Sequence, residues 1–423
     1  MKLIKITRHY DKKQLSIHFD NNVSVIVSDI IENVRKNGDE ALRFYEKKFD
    51  GVELQNFKMS ENDFNKACNS VGKDYFQMLE RCADNIRQFH ECQKQSGYIV
   101  ERDGVLIGQR VLPIESVALY VPGGSASYPS TVLMTAIPAK IAGCPNVFII
   151  TPPPVKPEVI AAASVAGIRD IFTVGGAQAI AASAFGTVSV KKADKIFGPG
   201  NIYVTEAKRQ VNSLGLAAID NIAGPSEILI IADRNAEPNF IAADLLAQAE
   251  HDGNACAVLI TTSEKLAQSV SSEIEKQIEC LSRREIARSS IDRNGVIIVT
   301  ESIDDALKIA DDIAPEHLEL FVDEPFDLMP KVKNAGSVFL GKYSPEAIGD
   351  YFAGSNHTLP TMGTARFASP LSVNNFVRKS QFIYYSPEAF NKAVDDVEKF
   401  ALSEGLTAHA NSVTIRKCTP KIS

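Results

Sequence analysis

The sequence predicts an α/β protein: two parallel sheets covered by helices, preceded by a helical N-terminal stretch and followed by a small C-terminal tail. Two observations carry this. From Val117 onward, apolar runs of strand length alternate with Ala-rich helical stretches, the rhythm of βαβ units. The rhythm occurs twice, and in both series the second strand begins 30 residues after the first, from Val117 to Val147 and from Glu227 to Ala257. Duplication of one α/β unit would account for this, although two equal spacings are a thin basis.

The elements follow in order. Val23 to Asn37 and Asp39 to Asp50 carry helical apolar spacing, with Gly51 as the stop. Ser60 is placed to cap the next helix, with Asp63 three residues on, and an amphipathic stretch continues to about Gln95. Residues 23–97 therefore read as scaffold. The first strand series is Val117 to Val121, Val147 to Thr151, Ile171 to Val174 and Lys195 to Gly198. The second is Glu227 to Ala232, Ala257 to Thr261, Val296 to Thr300, Glu319 to Val322 and Ser337 to Leu340. After about Leu371 one helical segment, Pro387 to Ser403, precedes Gly405 and a polar end. That tail is too small to bury its own core, so it is expected to pack on another domain or subunit.

Bulk properties narrow the function classes. At 423 residues, two to four domains are expected. A net charge of −7 without any Lys/Arg block argues against nucleic acid. The start, Met1 to Arg8, is too polar for a signal peptide, and no apolar run is long enough to span a membrane. The seven cysteines are scattered and none forms Cys-x-x-Cys, which suits free thiols in a reducing cytoplasm.

Chemistry concentrates in two groups of motifs. Three glycine-bearing turns follow strands of the first series: Tyr120-Val-Pro-Gly-Gly124, Val174-Gly-Gly-Ala-Gln178 and Phe197-Gly-Pro-Gly-Asn201. Glycine at the carboxyl edge of a parallel sheet lets a ligand approach the backbone, and a dinucleotide is a natural guest. No Gly-x-Gly-x-x-Gly is present, however, and plain tight turns give the same pattern. The second group holds four of the seven histidines: Gln248-Ala-Glu-His251, Ala314-Pro-Glu-His317, Gly349 to His357, and Gly405-Leu-Thr-Ala-His409. Gln248 and His251 are three apart near a helix end and project from one face. With Asp350 and His409 they make two imidazole nitrogens and two oxygens, a set suited to Zn²⁺ or Mn²⁺. A glutamine ligand is unusual, and His251 alone could be a helix-end histidine. Glu316-His317 is an adjacent acid–base pair in a loop shaped by Pro315, entering the strand Glu319 to Val322. His357 and Glu404 could line a pocket or be solvated.

Together these residues resemble the signatures of the histidinol dehydrogenase family. The resemblance rests on Tyr120 to Gly124, Asp194 to Asn201, Ala223-Gly-Pro-Ser-Glu227, Gln248 to His251, Ala314 to Glu319, Gly349-Asp350-Tyr351, Asn356 to Thr361 and Gly405 to Asn411. It runs in order from about Val117 to the C-terminus. It implies oxidation of L-histidinol to L-histidine with two NAD⁺, the closing steps of histidine biosynthesis. It implies zinc ligands Gln248, His251, Asp350 and His409, and catalytic Glu316 and His317. Substrate contacts would be Ser226, Gln248, His251, His317, Asp350, His357, Glu404 and His409, and NAD contacts Tyr120, Gln178 and Asn201. The family's two parallel-sheet domains are Rossmann-like, with NAD bound in a non-standard way, and its intertwined homodimer brings each tail to the partner's site. The expected organisation is an N-terminal segment 1–23 packing with the tail, a first α/β domain of 24–116 plus 230–371 carrying the metal and catalytic residues, an NAD-binding domain 117–229, and a swapped dimerisation tail 372–423. A zinc- and NAD-dependent relative acting on another primary alcohol is the nearest alternative. A zinc hydrolase and a non-catalytic metal scaffold are more distant ones.

Overall fold

The computed structural model describes residues 5–7, 21–123, 128–222 and 224–417. Gly124, Ala223, Cys418 and most of the expected segment 1–23 lie outside them. The described strands are β1 (Lys5–Thr7), β2 (Tyr98–Arg102), β3 (Val105–Pro113), β4 (Ser116–Tyr120), β5 (Asn146–Thr151), β6 (Ile171–Thr173), β7 (Lys195–Phe197), β8 (Ala218–Ile219), β9 (Glu227–Ala232), β10 (Cys256–Thr261), β11 (Val296–Val299), β12 (His317–Phe321), β13 (Ser337–Leu340) and β14 (Val377–Tyr385). The chain divides into two compact units, Met1–Gln93 with Ile114–Phe376, and Lys94–Pro113 with Val377–Ser423.

The larger unit holds both parallel sheets. One is ordered β6-β5-β4-β7-β8 and the other β1-β11-β10-β9-β12-β13. Numbered within its own series, each runs third, second, first, fourth, fifth, so the repeat seen in the spacing extends to topology. These strands are near-continuous apolar runs because helices cover both faces. In β9, Ile228, Ile230 and Ala232 point to the helices Pro238–Ala249, Glu264–Ile278 and Arg284–Asn294. Leu229 and Ile231 point to the opposite core, which includes Ala306, Leu307 and Ala310 of the helix Ile303–Ile313.

The N-terminal helices cover the five-stranded sheet. The helix Asn21–Asn37 packs on Gly176–Phe185 and Ile202–Ser213, and its Val27, Ile30 and Ile31 share a core with Ala118, Phe148 and Phe172. The helices Glu61–Ser70 and Lys73–Glu91 cover the other face, where Phe64, Leu79 and Ile86 meet Val117, Leu119 and Ile149. The expectation grouped residues 24–116 with 230–371. Their apolar faces instead match the sheet of the 117–229 region. Ser60 Oγ accepts from the Asp63 N–H, the expected cap, and the chain breaks before Gly72 rather than running on to Gln95 as one helix. Residues 5–7 were expected with the tail. They add an edge strand beside β11.

The smaller unit departs furthest from the expectation. β2 and β3 form a hairpin whose turn residues, Asp103 and Gly104, both have positive φ, 47° and 82°. β14 pairs antiparallel along all nine residues of β3. After the foreseen helix Pro387–Ser403, Gly405 (φ 75°) reverses the chain into a second helix, Thr407–Lys417. The tail thus carries one strand and two helices rather than one helix.

Candidate active site

The acid–base residues lie at the amino edge of the six-stranded sheet. Glu227 is the first residue of β9 and His317 the first of the adjacent β12. Strand β12 begins at His317, two residues earlier than expected. Ala314 ends the preceding helix in a left-handed conformation (φ 53°), and Pro315 then directs the chain into the sheet. The helix Pro238–Ala249 returns from β9 to this edge, with Gln248 and His251 at its end. The short helix Glu346–Tyr351 contributes Glu346 and Asp350 one turn apart. Gly349 lets that helix lie against Phe339, since a Cβ there would come within 2.5 Å of the ring.

His317 is set up as a base. Its Nδ1 lies 2.9 Å from the Glu227 carbonyl oxygen. A carbonyl only accepts, so Nδ1 carries the proton and Nε2 keeps its lone pair. Nε2 is buried without a hydrogen-bond partner, 3.8 Å from Asp350 Oδ1. Burial lowers the His317 pKa, the Asp350 charge opposes this, and the ring stays neutral. Glu316 Oε2 accepts from the Glu227 N–H at 3.0 Å. Burial pushes the Glu316 carboxyl well above the usual range, that hydrogen bond opposes the rise, and the Glu227 and Asp350 charges add to it. Glu227 itself is pushed up to about 7 by burial.

Beside this pair lies a donor cluster of the size a cation requires. Ligand atoms of His251, Glu346 and Asp350 all lie within 4.8 Å of one another. Gln248 is fully buried, and its amide oxygen faces the Glu346 carboxylate, 2.6 Å from Oε2. Turning the amide over would hand its nitrogen to Glu346 and its oxygen to the Glu227 N–H. That N–H already donates to Glu316. The unturned amide, an oxygen among oxygens, is the arrangement a bound cation stabilises, and the nitrogen–oxygen set suits a borderline divalent metal. His357 joins the group through Nδ1, 3.1 Å from the Asp350 carbonyl oxygen. Ser226, beside Glu227, is half-buried at the same edge.

Seven of the expected residues are thus gathered in the larger unit: Ser226, Gln248, His251, Glu316, His317, Asp350 and His357. Glu404 and His409 belong to the smaller unit. Glu404 ends its first helix, His409 lies in its second, and both are exposed. Two central residues were not foreseen. Glu346 could have been found from its position four before Asp350, given a helix there. Glu227 stood within a quoted motif without a role.

The expected dinucleotide residues lie elsewhere, around the carboxyl edge of the five-stranded sheet. Tyr120 ends β4, Asn201 follows β7, and with Gln178 they line a cavity of about 860 Å³. The Tyr120 hydroxyl accepts from the Gly176 N–H at 3.2 Å. Asn201 Oδ1 caps the helix Ile202–Ser213, accepting from Tyr203 and Val204 at 3.0 and 3.1 Å. Gly198 (φ 111°) has no room for a Cβ against the Tyr120 carbonyl. Its peptide is clamped by a buried ion pair: Lys208 donates to the Gly198 carbonyl at 2.8 Å, and Asp220 accepts from the Gly198 N–H at 2.7 Å.

A doubly wound frame with a neutral buried imidazole beside a cation-sized donor cluster defines an α/β enzyme that moves protons away from bulk water. The chain belongs to the histidinol dehydrogenase family, whose sequence model matches residues 14–417. A histidinol dehydrogenase from Bacillus cereus is 52% identical over 394 residues, 92% of this chain and 91% of the relative. One from Listeria innocua is 50% identical over 405 residues, 95% and 94% of the two chains. The crystal structure of histidinol dehydrogenase from Elizabethkingia anophelis superposes with a TM-score of 0.92 at 38% identity, covering 98% of both chains.

Proposed function

We infer that the protein oxidises L-histidinol to L-histidine through a bound aldehyde, reducing two NAD⁺ in succession, as the last steps of histidine biosynthesis. The observation that carries this is His317 Nε2, a buried unpartnered base beside the Gln248–His251–Glu346–Asp350 cluster, in a chain of this family. A zinc ion held by Gln248, His251, Asp350 and a His409 would fix the substrate's imidazole and amine, while NAD⁺ supplies the hydride acceptor. His317 Nε2 takes the hydroxyl proton as the alcohol carbon loses its hydride. Glu316, whose raised pKa makes it a strong base once ionised, then removes a proton from the water that adds to the aldehyde. After releasing the first proton, His317 takes the proton of the resulting hydrate as the second hydride leaves. Ser226, His357 and Glu404 contact the substrate, and the acidic surroundings favour a cationic amine. Retaining the aldehyde protects it from amines in solution.

Tyr120, Gln178 and Asn201 are the residues we assign to the dinucleotide. Glu404 and His409 reach the site of a second copy, so the working form is a homodimer. The six cysteines among the described residues are all unpaired, which supports a reducing cytoplasm as its compartment. Among the described residues no helix is long and apolar enough to cross a membrane.

NADH absorbance on adding L-histidinol tests the reaction, and no NADH from the zinc-loaded protein would refute it. Mixing His409→Ala chains with Glu316→Ala chains tests the sharing. Heterodimers regain activity through one intact site, whereas sites built within single chains stay broken.

A further inference from the structure

Behind the dinucleotide cavity lies a carboxylate that the reaction does not use. Glu46 opens a single π-helical turn, Glu46–Asp50, that follows the helix Asp39–Tyr45 and ends at Gly51 (φ 69°). Such turns recur at functional sites, because the extra residue redirects side chains that a regular helix would point elsewhere. Here Lys48, Phe49 and Asp50 line the cavity, while Glu46 is turned inward and fully buried. Its Oε1 accepts two hydrogen bonds, from the Gly175 N–H at 3.1 Å and from Gln178 Nε2 at 2.9 Å. The next peptide, Gly176, donates to the Tyr120 hydroxyl. One carboxylate oxygen therefore holds the turn and the amide that form one wall, and that turn holds the tyrosine that ends β4, two strands away in the same sheet.

This arrangement is costly for stability alone. Glu46 Oε2 and Gln178 Oε1 are buried with no N–H donor, and the Asp50 carboxyl beside Glu46 adds repulsion, so the arrangement is destabilising. An apolar side chain of similar size in place of Glu46 would fill the space without burying a polar carboxyl. The carboxylate is therefore accounted for by what it positions.

We propose that Glu46 is the positioning residue of the Tyr120–Gln178–Asn201 cavity, fixing the Gln178 amide and the Gly175–Gly176 turn in the arrangement that receives the nicotinamide dinucleotide. This rests on the dinucleotide reading above. Glu46 does not line the cavity, so it acts through Gln178 and the turn. An acceptor is needed at this position more than a charge, which separates two substitutions. Glu46→Gln keeps an oxygen for Gly175 and Gln178. Glu46→Met fills the volume and leaves both donors without a partner.

The experiment measures NAD⁺ and NADH dissociation constants on the zinc-loaded dimer by calorimetry and NADH fluorescence, together with steady-state kinetics in L-histidinol. Glu46→Met should weaken both dinucleotides by ~10-fold or more and raise KM for NAD⁺. Its kcat at saturating NAD⁺ and its zinc content should stay near wild type, because the acid–base cluster is untouched. Glu46→Gln should bind within ~3-fold of wild type. Gln178→Met, which leaves Glu46 in place, should reproduce the weakening, and adding Glu46→Met to it should cost little more. This variant decides the matter if Glu46→Met melts too low to assay. Wild-type affinity in Glu46→Met, equal losses in the Met and Gln variants, or fully additive losses in the double variant would overturn the proposal while leaving the dinucleotide reading intact. A wild-type protein that binds no NAD⁺ would overturn both.

Discussion

The two parallel sheets share a strand order and gather their candidate site residues at opposite edges. In the five-stranded sheet the cavity residues Tyr120 and Asn201 follow the carboxyl ends of β4 and β7, the crevice where the strand order reverses. In the six-stranded sheet Glu227 and His317 begin β9 and β12, the corresponding pair, at the amino ends. On the proposed assignment of the two sites, the usual rule for open α/β sheets would hold for one copy and fail for the other. The difference lies in what each edge supplies. Carboxyl-edge turns supply backbone and glycine, which suit a large, flexible ligand. The amino edge of β9 and β12 supplies one residue, Glu227, whose backbone N–H and C=O orient Glu316 and His317 within the rigid sheet.

If the copies divide the labour in this way, damage to one should leave the other intact. The largest effect is expected at His317. His317→Asn should lower kcat by about 10²–10⁴-fold on histidinol and histidinal alike, with NADH affinity unchanged. Glu316→Gln should damage histidinal oxidation more than histidinol oxidation, measured as NADH production from each substrate. Equal losses would mean that Glu316 mainly orients His317. Lost NADH binding in His317→Asn would mean that the halves are not separable.

Metal affinity should come next. Asp350→Ala should lower it about 10–100-fold, read as metal retained after dialysis against a weak chelator. The same assay on His409→Ala decides whether the smaller unit supplies a ligand, since full retention there removes His409 from the set.

At the other edge, Gly198→Ala forces a Cβ toward the Tyr120 carbonyl and should cost about 1–3 kcal/mol of stability. KM for NAD⁺ should rise while metal content stays constant. Loss of metal instead would couple the two edges.

The smallest effect is on pH-dependent stability, and it is shared. Burial raises Glu46 and Glu227 from 4.5 to about 7, one in each half. A carboxyl raised in the folded state stabilises fully below its unfolded pKa and loses that contribution as pH climbs through the folded one. The metal-free protein should therefore melt a few degrees lower at pH 8 than at pH 5, and Glu46→Gln should flatten part of the slope. A melting temperature rising across that window would show that both carboxyls are ionised throughout.

The doubly wound part was legible because buried parallel strands are uninterrupted apolar runs. Glu227–Ala232 and Ser337–Leu340 lie where the sequence placed them. The smaller unit was not. Tyr98–Arg102 is exposed along its length and lacks the alternation of a half-buried strand, and β14 finds its partner far away in sequence. One local signal was present, since Asp103-Gly104 is a two-residue turn of the type that closes hairpins. At the site, histidines drew attention because they are few. Glu227 and Glu346 are among many acidic residues, and their burial at one edge follows from strand pairing that composition does not encode.

The hydrogen bond from His317 Nδ1 to the Glu227 carbonyl is a fact of register, with His317 opposite Ile228 across β12 and β9. A one-residue slip would send the imidazole to the other face of the sheet. The slipped chain would bury a similar quantity of apolar surface and would look folded by its far-ultraviolet dichroism. It would have neither the fixed tautomer nor the free nitrogen. Activity regained after refolding therefore counts chains with the correct strand alignment, whereas recovered secondary structure counts those chains and their misaligned counterparts together.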